Sequence, residues 1–503
     1  MFLESKIHDK ATNDLLNFIV DDYQAFSIVE NPFFNIFLKN FNYEPPGRTY
    51  IKNQIMKLYD DKKENIIECF KKLNSLISLT FDLWTSNSNI SFLGITAHWI
   101  NPEFKLCSIT LDFVECKFPH NGETLSSLVF SIIKDFGIIS KIFAITTDNA
   151  ANMQTFYNIF YEKIKVFNPL ITSIGCGCHI INLAVLSGIN EIIPKVEKLR
   201  EINKKLKDSP KLFQEFKEVY DHYKPDFLFK SPKLDVKTRW NSLYYMIRDS
   251  IEMKEIYNKI NQTKLSDDEW NLMIEFKEFL ELFEQATNFI SGNKYPTISV
   301  LFKIINILYY KTKDYETNNI IIKNASLKMF EYFEKYWGEL KSSGLISAFL
   351  DPRFKNNILI SYPNLKNQIL ILYSYYKNIS NSQNEKIVEK KSKYSKLNID
   401  TFDDQDISND NNFKEIELYS NFIFSKTNDI DDFDLLQWWD LHSQDFPILS
   451  KMARNYLAIQ SSSVPSENLF SEAGNIITDS RNRLSSDTSR AVVCLKSWNI
   501  FLK

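Results

Sequence analysis

The chain has 503 residues, of which 44% are hydrophobic and 24% are charged, a composition typical of a folded protein with more than one domain. Its 11 glycines, against 40 phenylalanines, argue against a glycine-rich phosphate loop. The formal net charge of −3 excludes a uniformly basic surface but is compatible with a local basic face. The six cysteines are scattered, so no disulfide framework is predicted. The sequence has no run of roughly 18 apolar residues, so no membrane span is predicted either.

In the first part of the chain, the spacing of apolar residues changes from helical to strand-like. Residues 1–70 have helical spacing and end at the break "NYEPPGRTY". Three strand-like runs follow, then the helix-like "ETLSSLVFSIIKDFGI" and a fourth strand, "KIFAITTDN"; the three runs are 75–84, 91–100 and 105–115. This order predicts an α/β fold with a mixed sheet flanked by helices, in which the first and fourth strands are neighbours.

The remainder of the chain is dominated by helical patterns. Residues 150–375 show helical spacing without a repeat period. Residues 377–412 are polar and charged with few apolar side chains, which predicts a disordered linker. The last 90 or so residues return to helical spacing with aromatic anchors, as in "LLQWWDLHSQDFPILSKMARNYLAI".

Two carboxylates lie where apolar residues are expected. Asp82 interrupts the buried-strand pattern "LTFDLWTS", and Asp148 ends the fourth strand. An unpaired buried carboxylate costs several kcal/mol, and two that face each other repel unless a divalent cation lies between them. Carboxylate oxygens suit Mg²⁺. The alternative is that Asp82 caps a turn and Asp148 caps the next helix.

Six motifs occur in a single order along the chain: "TFDLWTS", "ITTDNAANM", "CGCHIINLAV", "KTRWNSLYYM", "AFLDPRFK" and "SSSVPSENLFSEAGNIITDSRNRLSSDTSRAVVCLKSWN". From about residue 15 to residue 502 this pattern resembles the hAT superfamily of DNA transposases, including its RICESLEEPER-like members. The resemblance implies an RNase H-like mixed sheet, interrupted by a large all-α insertion and completed by a helical C-terminal dimerisation region.

The resemblance also implies an Asp-Asp-Glu triad, which falls on Asp82, Asp148 and Glu467. Such a triad holds two Mg²⁺ or Mn²⁺ ions and cleaves and transfers DNA strands, as a polynucleotidyl transferase of the nucleus. Where the family usually has arginine after the glutamate, this chain has Asn468. The alternative is therefore a catalytically inactive, domesticated DNA-associated dimerising protein of the same fold.

Three further residues are implied to bind DNA. Cys176 and His179 match the family's C-x-x-H pattern, which implies that His179 contacts the scissile phosphate or flanking DNA. Arg239 and Trp240 match its Arg-Trp pair, whose tryptophan stacks on a flipped base. The alternatives are a core-packed histidine at a helix start and a tryptophan that anchors the inserted helices.

We expect no zinc site in this sequence. Residues 1–60 contain no cysteine and one histidine, so the family's N-terminal BED zinc finger is not expected there. The cluster Cys176-Gly177-Cys178-His179 has no second Cys/His pair near it, whereas structural zinc takes four ligands.

Two surfaces are predicted to bind partners. Lys and Arg outnumber Asp and Glu in residues 195–239, so we expect this segment to bind DNA beside the triad. The last helices carry more large apolar side chains than a peripheral subdomain can bury, which predicts docking on the body of the chain and, by family resemblance, a homodimer. These side chains are Trp438, Trp439, Phe446, Leu449, Tyr456, Leu457, Phe470, Leu495 and Trp498.

The predicted organisation has five parts. They are an N-terminal helical region (1–70), the first part of the RNase H-like core (71–185), the all-α insertion (186–376), an acidic disordered linker (377–429), and the C-terminal helical region that completes the core and dimerises (430–503).

Overall fold

The computed structural model describes residues 2–336, 341–384, 413–424, 433–477 and 484–502. The contacts divide the chain into two units. Unit 1 comprises Met1–Cys176, Asn293–Ser299 and Ser342–Lys503, and unit 2 comprises Gly177–Gly292 and Val300–Lys341. No single helix of the described residues is long and apolar enough to cross a membrane; one pair, bent by 96°, meets the same criteria jointly.

Unit 1 contains a mixed five-stranded sheet. Its strands are β1 (Ile77–Thr85), β2 (Ser91–Ile100), β3 (Leu106–Glu115), β4 (Ile142–Thr147) and β5 (Thr172–Gly175). The order is β3-β2-β1-β4-β5, with β4 parallel to both β1 and β5 and the other pairs antiparallel. The mixed sheet and the adjacency of the first and fourth strands are confirmed. The four-residue β5 was not predicted, because it is too short to interrupt a helical pattern.

Helices occur in both units of the chain. Before β5 they are α1 (Phe2–Asp21), α2 (Pro32–Lys39), α3 (Arg48–Lys72), α4 (Gly122–Asp135) and α5 (Ala151–Ile164). The next eight are α6 (Gly177–Ile189), α7 (Ile193–Asp208), α8 (Pro210–Tyr223), α9 (Trp240–Glu252), α10 (Lys254–Lys259), α11 (Asp267–Ile290), α12 (Ile298–Lys313) and α13 (Ile320–Tyr336). The remaining helices are α14 (Lys341–Phe349), α15 (Lys355–Ser361), α16 (Leu365–Asn384), α17 (Lys414–Asn421), α18 (Leu435–Leu441), α19 (Pro447–Tyr456), α20 (Val464–Ile476) and α21 (Ser486–Phe501).

Strand β1 is covered on both faces, and its alternation separates them. Leu79 and Phe81 point to one face, where the Phe81 ring lies 4.8 Å from that of Phe156 on α5. Thr80 and Asp82 therefore point to the other face. Thr80 is fully buried there, so this second face is a polar interior surface rather than a solvated one.

Helix α20 lies against that second face. The rings of Trp84 on β1 and Phe470 on α20 are stacked with centroids 6.1 Å apart. Gly94 on β2 permits the close approach, because a Cβ at this position would lie 2.7 Å from the Phe470 ring and 2.9 Å from Leu469. A helix from the end of the chain thus completes a sheet formed before residue 176.

Replacing Gly94 with alanine is expected to destabilise unit 1 by about 1–3 kcal/mol, the usual cost of overpacking a core. Gly474 provides the matched control: it lies on the same helix α20, but an added Cβ there meets nothing within 4 Å. Gly474→Ala should leave stability unchanged or raise it by about 0.5–1 kcal/mol through helix propensity. Urea unfolding of the two variants measures the difference, and equal midpoints would contradict the close contact.

The predicted linker is partly helical. Helix α16 extends to Asn384 and α17 covers Lys414–Asn421, so both enter the range 377–429; residues 385–412 and 425–432 lie outside the described residues. Helix α17 is held by Glu415, whose Oε1 accepts hydrogen bonds from the backbone N–H groups of Ile448 (2.9 Å) and Leu449 (2.7 Å). These groups belong to the first turn of α19, whose N–H donors have no partners within the helix. The sequence pattern missed α17 because it is short and strongly polar.

Candidate active site

Asp82 lies within β1, near its carboxyl end, and Asp148 directly follows the neighbouring parallel strand β4. Thr80 on β1 is in register with Thr146 on β4, and each aspartate follows its threonine by two residues. Registered residues of parallel strands share a face, so both aspartates belong to the face that α20 covers. Both side chains are half-buried.

The turn-cap and helix-cap alternatives can be compared with the local geometry. Helix α5 has Ala150 as its N-cap, without a side-chain hydrogen bond to the first turn. The Asp148 carboxylate instead accepts a long hydrogen bond of 3.3 Å from the Ala150 N–H. Asp82 accepts from the N–H of the next residue, Leu83, at 2.7 Å. Asp148 is therefore not a conventional cap of the following helix.

Glu467 lies in the first turn of α20, a helix that packs against β1 and β2. The hydroxyl of its neighbour, Ser466, lies 3.4 Å from the Thr80 hydroxyl. The Thr146 hydroxyl donates to the carbonyl oxygen of Gln460, at 2.7 Å. The 460–466 segment, which leads into α20 and includes its first residues, is therefore bonded to β1 and β4, each at a point two residues before an aspartate.

These three carboxyl groups offer hard oxygen ligands of the kind that Mg²⁺ and Mn²⁺ prefer. The donor chemistry therefore fits such a cation. Within the described part of the chain, no three His, Cys, Asp or Glu side chains are arranged so that they could hold a metal ion as they stand.

Glu472, the other carboxylate of α20, has a different partner. It accepts a hydrogen bond of 2.6 Å from the hydroxyl of Tyr23, just beyond the end of α1. Burial and this bond to Glu472 raise the pKa of the Tyr23 hydroxyl, which therefore stays protonated and donates. Glu472 thus joins α20 to the N-terminal helices, as a structural contact.

The cysteine–histidine cluster makes separate contacts within each unit. In unit 1, the Cys176 sulfur accepts from the backbone N–H of Ser463 at 3.3 Å. In unit 2, the Cys178 sulfur lies 3.2 Å from the Ser291 hydroxyl. His179 is half-buried in the first turn of α6. Its contact with DNA stays a prediction.

Arg239 and Trp240 differ in accessibility. Arg239 is exposed at the N-cap of α9, where it can reach a phosphate. Trp240 is only 2% exposed. Its backbone N–H donates a hydrogen bond of 3.3 Å to Asn182 Oδ1, and its ring centroid lies 6.1 Å from that of Tyr244. In this structure Trp240 is a core anchor of unit 2, and stacking on a base would require the start of α9 to open.

Part of the basic excess in residues 195–239 is neutralised by ion pairs. The pairs are Lys198–Glu269 (2.8 Å), Arg200–Asp235 (2.6 Å), Lys230–Glu252 (2.8 Å) and Lys233–Asp249 (2.8 Å). Three of the acidic partners lie outside the segment, so counting charges within it overstates the cations available to DNA.

The large apolar side chains of the C-terminal region are buried inside the chain. Each of the nine is at most 8% exposed, and Trp439 and Trp498 are completely buried. Trp439 donates its indole N–H to the Leu350 carbonyl (2.8 Å), and Trp498 stacks on Tyr59 at 5.0 Å. The prediction that these side chains leave an apolar surface for a second chain was wrong, because other elements of unit 1 cover them.

Sequence reasoning missed a row of buried polar groups beneath the candidate site. Thr80, Thr96 and His98 are each at most 5% exposed, on adjacent strands β1 and β2. The signal was present in the alternation of "SLTFD" and "TAH", where every second residue of a buried strand is polar. Threonine is so common in strands that only the aspartate drew attention.

His98 is expected to make the stability of unit 1 depend on pH. Complete burial lowers the pKa of His98 from 6.5 to about 3. Below pH 6.5 the unfolded chain binds a proton at this residue and the folded chain does not, so stability is lost as pH falls from 6.5 towards 3. At pH 5 the loss is about 2 kcal/mol, since each pH unit below 6.5 contributes about 1.4 kcal/mol.

A His98→Gln variant, which cannot titrate, should lack this contribution when urea unfolding is compared at pH 7.5 and pH 5. His222 is exposed, so His222→Gln is the control and should retain the wild-type pH dependence. The same pH dependence in all three proteins would show that His98 is not the group responsible.

Three segments of the chain match known protein families. Residues 80–174 match the ZBED1 RNase-like domain, residues 174–279 match the ZBED1 RNase-like helical domain, and residues 415–499 match the hAT family C-terminal dimerisation region. The first match begins within β1 and ends within β5. The third contains α18 to α20 and most of α21.

Full-length relatives match almost the whole chain. A Zea mays protein named as an AC transposase is 29% identical over 96% of this chain and 64% of its own length. The BED zinc-finger proteins RICESLEEPER 2 of Oryza sativa subsp. japonica and DAYSLEEPER of Arabidopsis thaliana are 25% and 22% identical over 98% and 97% of this chain. The matched region covers 75% of RICESLEEPER 2 and 73% of DAYSLEEPER. The chain thus spans under two thirds of the maize relative. It belongs to the hAT family.

Proposed function

We propose that this protein cleaves and transfers DNA strands in the nucleus, with divalent metal ions held by Asp82, Asp148 and Glu467. The observation that carries the proposal is the register that places Asp82 and Asp148 two residues beyond paired threonines of neighbouring parallel strands. The 460–466 segment, which leads into Glu467, is bonded to these same threonines. The family resemblance assigns these three carboxylates to one site, and the hydrogen bonds of the 460–466 segment to both strands support that assignment.

The three residues would act by holding two cations, Mg²⁺ or Mn²⁺. When bound, such ions activate an attacking water or hydroxyl and stabilise the leaving oxygen of a phosphodiester. The protein's part is to fix the carboxylates on rigid elements and to keep like charges near one another until a cation neutralises them. Thr80 and Thr146 bond to Ser466 and Gln460, in the segment that leads into Glu467.

The alternative function is DNA association without catalysis, and one observation favours it. Asn468, exposed on α20, stands where the family usually has an arginine, so a cation beside the glutamate is replaced by a neutral amide. A non-catalytic member of the family would retain the fold and could retain the carboxylates.

The experiment that distinguishes the two uses the full chain and supercoiled plasmid DNA. We expect nicking in Mg²⁺ or Mn²⁺ and none in excess EDTA, followed by joining of the cleaved strand to a second duplex. Binding of the plasmid without nicking in either metal would overturn the catalytic proposal and leave the DNA-associated alternative.

DNA binding is expected to weaken steeply with salt, because lysines and arginines that neutralise phosphates release counterions. Arg239→Gln should reduce the slope of log affinity against log salt by about one unit. Lys165→Gln is the control: Lys165 follows the C-terminal end of α5, the end remote from Asp148, and pairs with Glu162. Fluorescence anisotropy of a labelled duplex between 50 and roughly 200 mM salt measures both slopes. Equal slopes for wild type and Arg239→Gln would exclude this arginine as a phosphate contact.

The protein is also proposed to form a homodimer. The support is the match of residues 415–499 to the hAT dimerisation region. Because the nine large apolar side chains of this region are buried within the chain, the contact would use other side chains. Among the described residues of this region, Leu418, Ile423 and Leu441 are apolar candidates, with exposed fractions of 54%, 87% and 71%.

A further inference from the structure

A chain of buried hydrogen bonds crosses the sheet from His98 to the start of α20. The Nε2 atom of His98 lies 2.7 Å from the Thr96 hydroxyl, and this hydroxyl lies 2.6 Å from that of Thr80. The Thr80 hydroxyl in turn lies 3.4 Å from the Ser466 hydroxyl, which donates to the carbonyl of Ser463 at 2.7 Å. All five residues are at most 5% exposed.

Counting protons fixes the direction of this chain. Each hydroxyl has a single proton, and Ser466 uses its own on the Ser463 carbonyl. Ser466 can therefore only accept from Thr80, which must then accept from Thr96, which must accept from the Nε2–H of His98. The remaining ring nitrogen, Nδ1, is left unprotonated, and this atom has no hydrogen-bond partner among the residues that the structure describes. A lone pair without a partner is tolerated in the interior better than an N–H donor would be.

The chain ends on the carbonyl oxygen that starts α20. The Ser463 oxygen also accepts from the backbone N–H groups of Ser466 (2.9 Å) and Glu467 (3.2 Å). The direction in which this first turn leaves the sheet is therefore set by the hydroxyl of Thr80, through Ser466.

The neighbouring strand makes an equivalent contact. The Thr146 hydroxyl donates to the carbonyl of Gln460 at 2.7 Å, and Thr146 is in register with Thr80. In both strands the threonine precedes an aspartate by two residues, as T-F-D at 80–82 and T-T-D at 146–148. Each strand thus presents on one face a hydroxyl that holds the 460–466 segment and, one pleat further, a carboxylate.

We propose that Thr80 and Thr146 are positioning residues that set Glu467 at the distance from Asp82 and Asp148 at which all three can share metal ions. The inference rests on the proposed function, because it assigns the threonines to the same site. They touch neither metal nor DNA, and they act through the backbone of residues 460–467. A helix end fixed to two strands keeps the third ligand in place while the first two are held by the sheet.

Valine and serine substitutions at Thr80 separate this role from packing. Valine has the shape of threonine but no hydroxyl, whereas serine keeps the hydroxyl and loses a methyl group. We expect Thr80→Val to weaken Mn²⁺ binding at least tenfold, measured by electron paramagnetic resonance of free Mn²⁺ in the absence of DNA. Thr80→Ser should bind Mn²⁺ within about twofold of wild type, although it is less stable by about 1 kcal/mol because of the lost methyl.

Thr146→Val and Thr146→Ser should repeat the pattern. Thr85 lies on the same strand β1 but is exposed, with its hydroxyl 3.0 Å from that of Ser91, so Thr85→Val is the control and should leave Mn²⁺ affinity unchanged. The half-saturating Mg²⁺ concentration for plasmid nicking should rise by the same factor as the Mn²⁺ dissociation constant.

The outcomes separate the two proposals. Wild-type Mn²⁺ affinity in Thr80→Val and Thr146→Val, with only thermal stability reduced, would overturn the positioning role while leaving the cleavage proposal intact. Mn²⁺ binding that depends on the two hydroxyls, in a chain that does not nick DNA, would support the positioning role and overturn cleavage. A wild-type chain that binds no Mn²⁺ would overturn both.

Discussion

Replacing Asp82 with asparagine is expected to reduce metal-dependent DNA cleavage about a thousandfold while leaving the folded state at least as stable as wild type. Asparagine keeps the size of the side chain but removes the charge that holds a cation, a loss of about 4 kcal/mol in the transition state. Removing one of several neighbouring like charges relieves repulsion, so the metal-free protein should unfold at the same or a higher temperature. Single-turnover nicking across a Mg²⁺ titration, with thermal unfolding in EDTA, measures both effects.

Asp148→Asn and Glu467→Gln should behave in the same way, because the three residues are proposed to act as one unit and effects within such a unit are not additive. Glu472→Gln is the matched control. It lies on the same helix α20 and undergoes the same chemical change, but its partner is Tyr23. An active Glu467→Gln protein beside an inactive Asp82→Asn protein would mean that the third carboxylate is another residue.

The second large effect is expected at the ion pair between Asp112 on β3 and Arg490 on α21. Arg490 donates two hydrogen bonds to Asp112, through Nε (2.6 Å to Oδ1) and through Nη2, and the Asp112 side chain is completely buried. This pair raises the pKa of the Arg490 guanidinium, against the opposing effect of burial. Arg490→Met would leave a carboxylate without a cation in the interior, and we expect unit 1 to lose about 3–5 kcal/mol.

Two further variants test this interpretation. Asp112→Asn combined with Arg490→Met removes both charges and should recover part of the loss, because no unpaired charge remains. Lys165→Met breaks the exposed pair with Glu162 and should change stability by less than about 1 kcal/mol. Urea unfolding of the full chain provides the comparison. A loss at Arg490 no larger than that at Lys165 would show that α21 is held by its apolar contacts alone.

The sequence allowed the sheet to be predicted because its strands are local patterns. The alternation in 75–84 and 91–100 and the position of Asp148 after an apolar run were sufficient to identify neighbouring strands, one with a carboxylate within it and one with a carboxylate at its end. The contact between Thr80 and Ser466 joins residues 386 positions apart, and no periodicity encodes such a contact. Glu467 was accessible only through the resemblance to a family, which supplies long-range information that a single pattern lacks.

Burial of the C-terminal aromatic residues shows a second limit. Composition indicates how much apolar surface a segment carries, but the area that remains exposed depends on which other elements cover it. Trp498 is covered by Tyr59 of α3, and Trp439 by Tyr419 of α17, a helix within the range that was predicted to be disordered. A short polar helix carrying a single large ring cannot be recognised as a lid from its own sequence.

The dependence of the sheet on α20 has a consequence for synthesis of the protein. Strand β5 ends at residue 175 and α20 begins at residue 464. The ribosome therefore adds about 289 residues (464 − 175) between the last strand of the sheet and the helix that covers β1 and β2. At translation rates of roughly 5–20 residues per second, the nascent chain exposes this face of the sheet, including Trp84 of β1, for roughly 15–60 s. The sheet then offers apolar rings and strand edges to other nascent chains, a condition that favours aggregation and recruitment of chaperones. A premature stop codon anywhere in this interval therefore yields an aggregation-prone fragment rather than a smaller working domain.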